Sequence, residues 1–219
     1  MGLIVYGASL SPFVRKVRVF LAEKDIEYTL ENVNIFPAPE WFSDISPLKR
    51  IPAIKDEATG FTLSDSSAIC GYLEKTNPTP ALYPTDAQEY GQALWFEEYG
   101  DSEMAGHIGM GTFRPMVVSR LMGKEADKET ADKAASEKLP PYFAYLEAQI
   151  GDKEFLVADT FSIADIGVAT GFVNFSHAGF KPDAAAFPKL TAYLARIHAR
   201  PSFAGCIAEE TGFLAKVLK

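Results

Sequence analysis

The sequence is poor in the residues that build metal sites and disulfide frameworks. Its 219 residues include two cysteines, Cys70 and Cys206, and three histidines. Both cysteines lie in apolar helical patterns, and neither belongs to a CxxC pair or to a cysteine and histidine set with metal-ligand spacing. We therefore expect no metal and no dithiol redox centre, and two buried thiols of this kind suit a reducing compartment.

Long apolar runs and an excess of positive charge are also missing. No apolar stretch approaches the length of a membrane span, and the opening MGLIVYG is too short for a signal-peptide core. The formal net charge of −8 argues against nucleic acid and anionic membrane surfaces as partners. We expect a cytoplasmic protein in which any anionic small ligand needs a local basic site.

The chain has two halves with different patterns. Short apolar runs ended by turn residues predict strands over 3–6, 26–33, 51–56 and 60–64, and helical spacing predicts helices over 12–24 and 65–75. Residues 77–86 hold three prolines without periodicity, which is typical of an ordered linker. All later segments have helical spacing, so we predict an α/β domain over 1–76 and an all-helical domain over 87–219.

Ser11 stands directly before Pro12 at the start of the first predicted helix. Serine at this position caps a backbone N–H and proline suits the first turn, so capping alone explains the pair. The same geometry directs a hydroxyl and several N–H groups at the space beyond the helix, where an anion can bind. Ser9, two residues earlier in the loop, carries the nearest other hydroxyl that could take this role.

Two further segments offer groups of the same kind. A cis bond between Ile51 and Pro52 would turn the backbone of Ile51 outward to pair with an extended ligand, although a plain strand start explains the proline equally well. Lys49 and Arg50 precede this strand, and adjacent loop cations are usually solvated. Asp65 opens the second helix, where it acts as a cap or helps to bind a ligand carboxylate.

Taken together, these motifs resemble the glutathione S-transferase family. Ser11 at the first helix, KRIP at 49–52 and SDSSAI at 64–69 occur in the family's order and spacing. In the helical half, FLVADTFSIADIGVA at 155–169 is similar to the family's Ser/Thr-x-x-Asp segment. Its Ser162 and Asp165 have the spacing of a capping box, and we assign them to folding. The resemblance implies a thioredoxin-like N-terminal domain and an all-α C-terminal domain.

The resemblance also implies roles for individual residues. Ser11 matches the activating hydroxyl of the serine-type classes, at the place where cysteine-type classes hold a nucleophilic thiol. The other implied contacts are Ile51 and the cis-proline Pro52 at the cysteinyl part of glutathione, Asp65 and Ser66 at the γ-glutamyl end, and Lys49 with Arg50 near the glycyl carboxylate. Arg15 and Lys16 can raise the local potential, but we expect them on the solvated surface.

In this family the helical domain supplies a pocket for a second, hydrophobic substrate. Candidate pocket residues are Phe13, Tyr99, Met104, His107 and Phe113. Core packing or a surface loop explains these positions at least as well, and we do not expect His107 to be a catalytic base. The pattern departs from the family between Gly100 and Pro115, where four glycines and a proline predict that the long helix bends, breaks or ends early. Pro140 and Pro141 should interrupt the next helix.

The implied function is a cytosolic, detoxifying transferase that uses glutathione as co-substrate and no metal. Ser11 would stabilise the thiolate, which then attacks a small hydrophobic electrophile. A glutathione-dependent isomerase, dehalogenase or peroxidase is the alternative on the same scaffold, whereas thiol exchange is disfavoured because a hydroxyl cannot form a mixed disulfide. A non-catalytic interaction module is a third possibility. A homodimer is expected, with the helix after Asp65 and the first helices of the second domain near its interface.

Overall fold

The computed structural model describes residues 2–218, and the chain divides between Leu82 and Tyr83 into two compact units. This boundary lies inside the stretch 77–86 that we interpreted as a linker. The elements of the N-terminal unit are β1 (Leu3–Tyr6), α1 (Pro12–Glu23), β2 (Tyr28–Glu31), a 3₁₀ turn (Glu40–Asp44), β3 (Ala53–Asp56), β4 (Thr62–Ser64) and α2 (Ser66–Thr76). The predicted order of strands and helices is confirmed, and the 3₁₀ turn is an addition within the predicted loop.

The N-terminal unit is built on a four-stranded mixed sheet with the order β2-β1-β3-β4. β1 and β2 run parallel and are joined through α1, as a parallel pair requires, whereas β3 and β4 are antiparallel to their neighbours. Val5 and Ile54 are fully buried at the centre of the sheet. This arrangement is the thioredoxin-like domain that the resemblance implies.

Helix α1 is more deeply buried than its sequence indicates. All residues from Val14 to Leu21 are buried, and α1 packs against α2. Arg15 and Lys16 are both fully buried, so the expectation that they lie on the solvated surface is wrong. The physical reason is that tertiary contacts cover the polar stretch RKVR, and the Nζ atom of Lys16 donates to the Oγ atom of Ser67 at 2.9 Å.

The C-terminal unit is helical, and the described residues 83–218 contain no strand. Its α-helices are α3 (Ala87–Glu98), α4 (Ala105–Ile108), α5 (Ser119–Leu121), α6 (Lys128–Lys133), α7 (Pro140–Ile150), α8 (Ile163–His177), α9 (Pro188–His198) and α10 (Pro201–Val217). Three π-helical segments occupy Tyr99–Met104, Gly109–Val118 and Ala134–Lys138. Helix α8 is buried at every position from Ile163 to Phe175 and forms the centre of this unit.

The glycine-rich stretch neither breaks the long helix nor ends it early. Regular α-helical bonding stops at Glu98, but the chain stays helical to Leu121 through widened turns. In these turns Ala105 N–H donates to Gly100 C=O and Ser119 N–H donates to Arg114 C=O. A wider turn accommodates Pro115, which has no N–H to donate. The predicted interruption by Pro140 is confirmed, because α7 begins at this residue.

The capping box at the start of α8 is confirmed. Ser162 N–H donates to Asp165 Oδ2 at 3.0 Å, and Ala164 N–H donates to Ser162 Oγ at 3.3 Å. The other carboxylate oxygen of Asp165 accepts from Leu156 N–H at 3.0 Å and from the Tyr193 hydroxyl at 2.8 Å. Burial raises the pKa of Asp165 to about 6, although these hydrogen bonds favour the charged form.

This raised pKa predicts a pH-dependent contribution to stability. The folded state holds the Asp165 proton more tightly than the unfolded chain, so protonation stabilises the fold at low pH and this contribution is lost as the pH rises through about 6. We expect wild type, measured against Asp165→Asn, to lose about 1 kcal/mol of unfolding free energy between about pH 5 and about pH 7. Urea unfolding of both proteins across this range tests it, and a constant difference would contradict it.

Candidate functional site

Three chain segments meet at one end of the sheet in the N-terminal unit. Strand pairing places Tyr6 opposite Ala53, and Ala53 opposite Ser64. The loop that leads from β1 to Ser11, the start of β3 and the start of α2 therefore share this end of the sheet. Asp65 N–H donates to Pro52 C=O at 3.3 Å, which fixes the last two segments to each other.

Ser11 is the N-cap of α1, with Pro12 in the first turn. Its Oγ atom accepts a hydrogen bond from Val14 N–H at 3.4 Å, and the first turn contains no acidic side chain. Accepting this bond uses an oxygen lone pair and leaves the hydroxyl hydrogen able to donate. Capping and donation to an anion beyond the helix are therefore compatible roles for one hydroxyl.

The loop before β3 is held by a buried serine. Ser46 is fully buried, and its Oγ atom donates to Arg50 C=O at 2.8 Å and accepts from Arg50 N–H at 3.1 Å. The Ile51–Pro52 peptide bond is cis. Lys49 and Arg50 are exposed, and Lys49 has a φ of 52°. The loop thus presents two cations to solvent immediately before Ile51.

Asp65 caps α2 from an unusual backbone conformation. Its Oδ1 atom accepts from Ser67 N–H at 3.0 Å and from Ala68 N–H at 3.1 Å. Its φ of 84° lies in the region that favours glycine, and such a conformation costs about 1–3 kcal/mol for other residues. Backbone strain of this kind concentrates at functional sites. Ser66 follows as the first residue of α2 and is buried.

Arg15 and Lys16 belong to the surroundings of the site, contrary to what their sequence pattern indicates. Both cations are fully buried within the second turn of α1, close in sequence to Ser11. The protein as a whole carries a formal charge of −8. Lys16 reaches the start of α2, where its Nζ atom donates to Ser67 Oγ at 2.9 Å. No signal in the sequence distinguishes Arg15 and Lys16 from solvated helix cations.

The candidate residues of the second-substrate pocket are divided between the two units. Phe13 is half-buried on α1 in the N-terminal unit, whereas the other four belong to the helical unit. Tyr99, Met104 and Phe113 are buried there, which favours the alternative of core packing. His107 lies with its ring centroid 4.4 Å from that of Tyr142, and Tyr99 donates its hydroxyl hydrogen to the carbonyl of the same tyrosine at 3.2 Å.

The fold and the site together define a class of protein. A thioredoxin-like unit followed by an all-helical unit, with helix N-termini that attract anions at one end of the sheet, is typical of glutathione-transferase-like proteins. Residues 10–76 match the model of the glutathione S-transferase N-terminal domain, and residues 112–210 match that of the C-terminal domain. The two matches together cover more than half of the chain. The chain belongs to the glutathione S-transferase family.

The proteins that this chain is similar to have names that indicate different functions. The chain is 28% identical to maleylacetoacetate isomerase of Rattus norvegicus over 193 residues, covering 86% of this chain and 84% of that protein. It is 31% identical to elongation factor 1-gamma of Schizosaccharomyces pombe over 164 residues, covering 74% of this chain and 38% of that protein. A Methylobacterium radiotolerans glutathione S-transferase, solved in complex with glutathione sulfonate, is 25% identical with a TM-score of 0.75, covering 94% of each chain.

Two absences apply to the described part of the chain. None of the helices formed by residues 2–218 is long and apolar enough to cross a membrane. Within the same residues, no group of three or more histidine, cysteine, aspartate or glutamate side chains is arranged to hold a metal ion.

Proposed function

We propose that this protein is a glutathione-dependent transferase that converts the glutathione thiol to a thiolate and directs it at a small hydrophobic electrophile. The observation that carries the proposal is the meeting of Ser11, Ile51–Pro52 and Asp65 at one end of the sheet. The glutathione sulfonate bound to the 25% identical relative supports the choice of ligand.

In this proposal each part of glutathione meets a different segment. The γ-glutamyl end lies at the start of α2, where the carboxylate of Asp65 takes the α-ammonium group and the helix N-terminus beside Ser66 takes the α-carboxylate. The backbone of Ile51, held beside Pro52, pairs with the cysteinyl residue. The glycyl carboxylate lies near the exposed cations Lys49 and Arg50, and the sulfur faces Ser11.

The energy required for thiol activation is within reach of this site. A thiol has a pKa of about 8.5, so making it mostly thiolate at neutral pH takes a shift of about two units, or about 2.7 kcal/mol. A hydrogen bond from the Ser11 hydroxyl to a charged sulfur contributes about 1.5–3 kcal/mol. The N-terminus of α1 adds about 0.3–1 kcal/mol. Ser11 acts as a hydrogen-bond donor and forms no covalent intermediate.

A second candidate function is isomerisation, which the 28% identical maleylacetoacetate isomerase favours. The same thiolate would add to a conjugated double bond, allow rotation about the resulting single bond and leave again, so that glutathione is regenerated. The N-terminal site serves both reactions because it binds only glutathione. The helical unit, with candidates such as His107 and Phe113, would decide which electrophile is accepted.

We also expect a homodimer, as is typical of the family.

The similarity to elongation factor 1-gamma raises the third possibility, a non-catalytic module. This chain spans 38% of that protein, and it keeps Ser11, Ile51–Pro52 and Asp65 at the proposed glutathione site. Capping alone explains Ser11, so the argument rests on its occurrence together with Ile51–Pro52 and Asp65, a combination that a module without a ligand does not need. We therefore rank the module below both enzymes.

The test is binding followed by turnover. We expect the protein to be retained on immobilised glutathione and released by free glutathione, and to catalyse either conjugation of chlorodinitrobenzene or isomerisation of maleylacetoacetate only when glutathione is present. Turnover of one substrate and not the other decides between transferase and isomerase. Absence of both retention and turnover would contradict the proposal and favour the module.

A further inference from the structure

A buried lysine connects the two helices that border the proposed glutathione site. Lys16 lies on α1, five residues after Ser11, and its side chain is fully buried. Its Nζ atom donates to Ser67 Oγ at 2.9 Å. Burial of an ammonium group is unfavourable unless it is compensated, and the bond to Ser67 is one of the contacts that compensate it.

The acceptor of this bond is part of the first turn of α2. Ser67 N–H donates to Asp65 Oδ1 at 3.0 Å, while Ser67 Oγ receives the Lys16 ammonium. A series of hydrogen bonds thus runs from α1 through Ser67 to the cap of α2. This series links α1 to the N-terminus of α2, in addition to the packing of the two helices.

We propose that Lys16 is a positioning residue for recognition of the γ-glutamyl end of glutathione, an inference that rests on the function proposed above. It holds Ser67, and through Ser67 the cap residue Asp65, in the orientation that receives the α-ammonium and α-carboxylate groups. Its Nζ atom lies against the first turn of α2, the helix end that takes the carboxylate in the proposed function.

The same helix provides a matched comparison at its other end. Lys24 is also buried on the side of α1 that meets α2, but its Nζ atom pairs with Glu74 at 2.8 Å and donates to the carbonyls of Asn77 and Pro80 at 2.7 Å. These partners lie at and beyond the C-terminal end of α2. Lys24 is therefore a buried bridging lysine that has no path to the site at the N-terminus of α2.

The experiment compares two ligands that differ only in the γ-glutamyl group. Dissociation constants for glutathione and for cysteinylglycine are measured by titration calorimetry on the full chain, for wild type, Lys16→Met, Lys16→Arg, Ser67→Ala and Lys24→Met. We expect the preference for glutathione over cysteinylglycine to fall about tenfold in Lys16→Met and in Ser67→Ala. Lys16→Arg should keep the preference within about twofold, since it retains a buried donor.

The Lys24→Met variant tests whether a loss of stability alone changes the preference for glutathione over cysteinylglycine. Removing one partner of a buried pair destabilises a protein, so this variant should melt at a lower temperature than wild type. Its preference for glutathione over cysteinylglycine should equal that of wild type. Should Lys16→Met fail to fold, Ser67→Ala decides the matter, because it removes the acceptor and retains the lysine.

Each contrary result has its own meaning. Equal weakening of both ligands in Lys16→Met and Ser67→Ala, or no weakening of either, overturns the positioning role while the proposed function stands. A wild-type protein that binds glutathione no better than cysteinylglycine also overturns it. A wild-type protein that binds neither ligand overturns the proposed function and the role of Lys16 with it.

Discussion

Replacing Ser11 by alanine is expected to raise the thiol pKa of bound glutathione by at least about one unit and to lower kcat/KM about tenfold to a hundredfold near neutral pH. The reason is the loss of a hydrogen bond that the neutral hydroxyl donates to a charged sulfur. The N-terminus of α1 and the buried cations Arg15 and Lys16 remain in the variant. Activation should therefore be weakened and not abolished.

The measurement is the thiolate absorbance of bound glutathione as a function of pH. In wild type we expect a pKa one to three units below the ordinary value of about 8.5. Ser11→Ala also removes a helix cap, at a cost of about 1 kcal/mol, whereas glycine at the same position costs a few tenths. Ser11→Gly should therefore show the same pKa increase with less loss of stability.

Ser9→Ala is the matched control, because Ser9 is the nearest other hydroxyl in the loop before α1. It should leave the thiol pKa unchanged. If the pKa is low in both wild type and Ser11→Ala, the helix N-terminus and the buried cations carry the activation and Ser11 is chiefly a cap. If the pKa rises in Ser9→Ala and not in Ser11→Ala, the activating hydroxyl has been assigned to the wrong serine.

The order of elements in the N-terminal unit could be predicted because local signals agree with the fold. Runs such as LIVY at 3–6 are ended by turn residues, and Ser11 with Pro12 begins a helix where the cap chemistry requires it. Ser162 and Asp165 likewise form the predicted capping box because its two bonds are local. Interactions over three or four residues can be recognised from the residue types and their spacing alone.

Burial of charged residues could not be predicted in the same way. The stretch RKVR in α1 has the composition of an exposed face, yet Arg15 and Lys16 are fully buried. Their environment is created by residues far away in sequence, as the bond between Lys16 and Ser67 illustrates. For the candidate site, the resemblance to the family was sufficient to propose Ser11, Pro52 and Asp65, but no sequence signal indicated the burial of Arg15 and Lys16.

The glycine-rich stretch from Gly100 onward shows why a propensity argument did not predict that the chain stays helical there. Glycine is unfavourable in an isolated helix, and four of them predict an interruption. In the structure Gly100 is buried where the helical stretch that continues α3 packs against α8, with Gly167 directly opposite. A Cβ atom at Gly100 would overlap the carbonyl group of Gly167 and stand 2.8 Å from the backbone nitrogen of Val168. At Gly100, the close approach of two helices thus offsets the intrinsic cost of glycine.

Replacing Gly100 by alanine should therefore destabilise the protein strongly, by about 3 kcal/mol, which corresponds to a decrease in Tm of about 6–12 °C. The atoms that a Cβ would meet belong to the backbone of α8 and cannot move aside as a flexible side chain can. Gly91→Ala is the matched control, because Gly91 lies in α3 and a Cβ atom added there would have no neighbour within 4 Å. There alanine should stabilise the helix by up to about 1 kcal/mol. Thermal unfolding of both variants measures the difference, and equal Tm values would show that α8 does not approach Gly100 this closely.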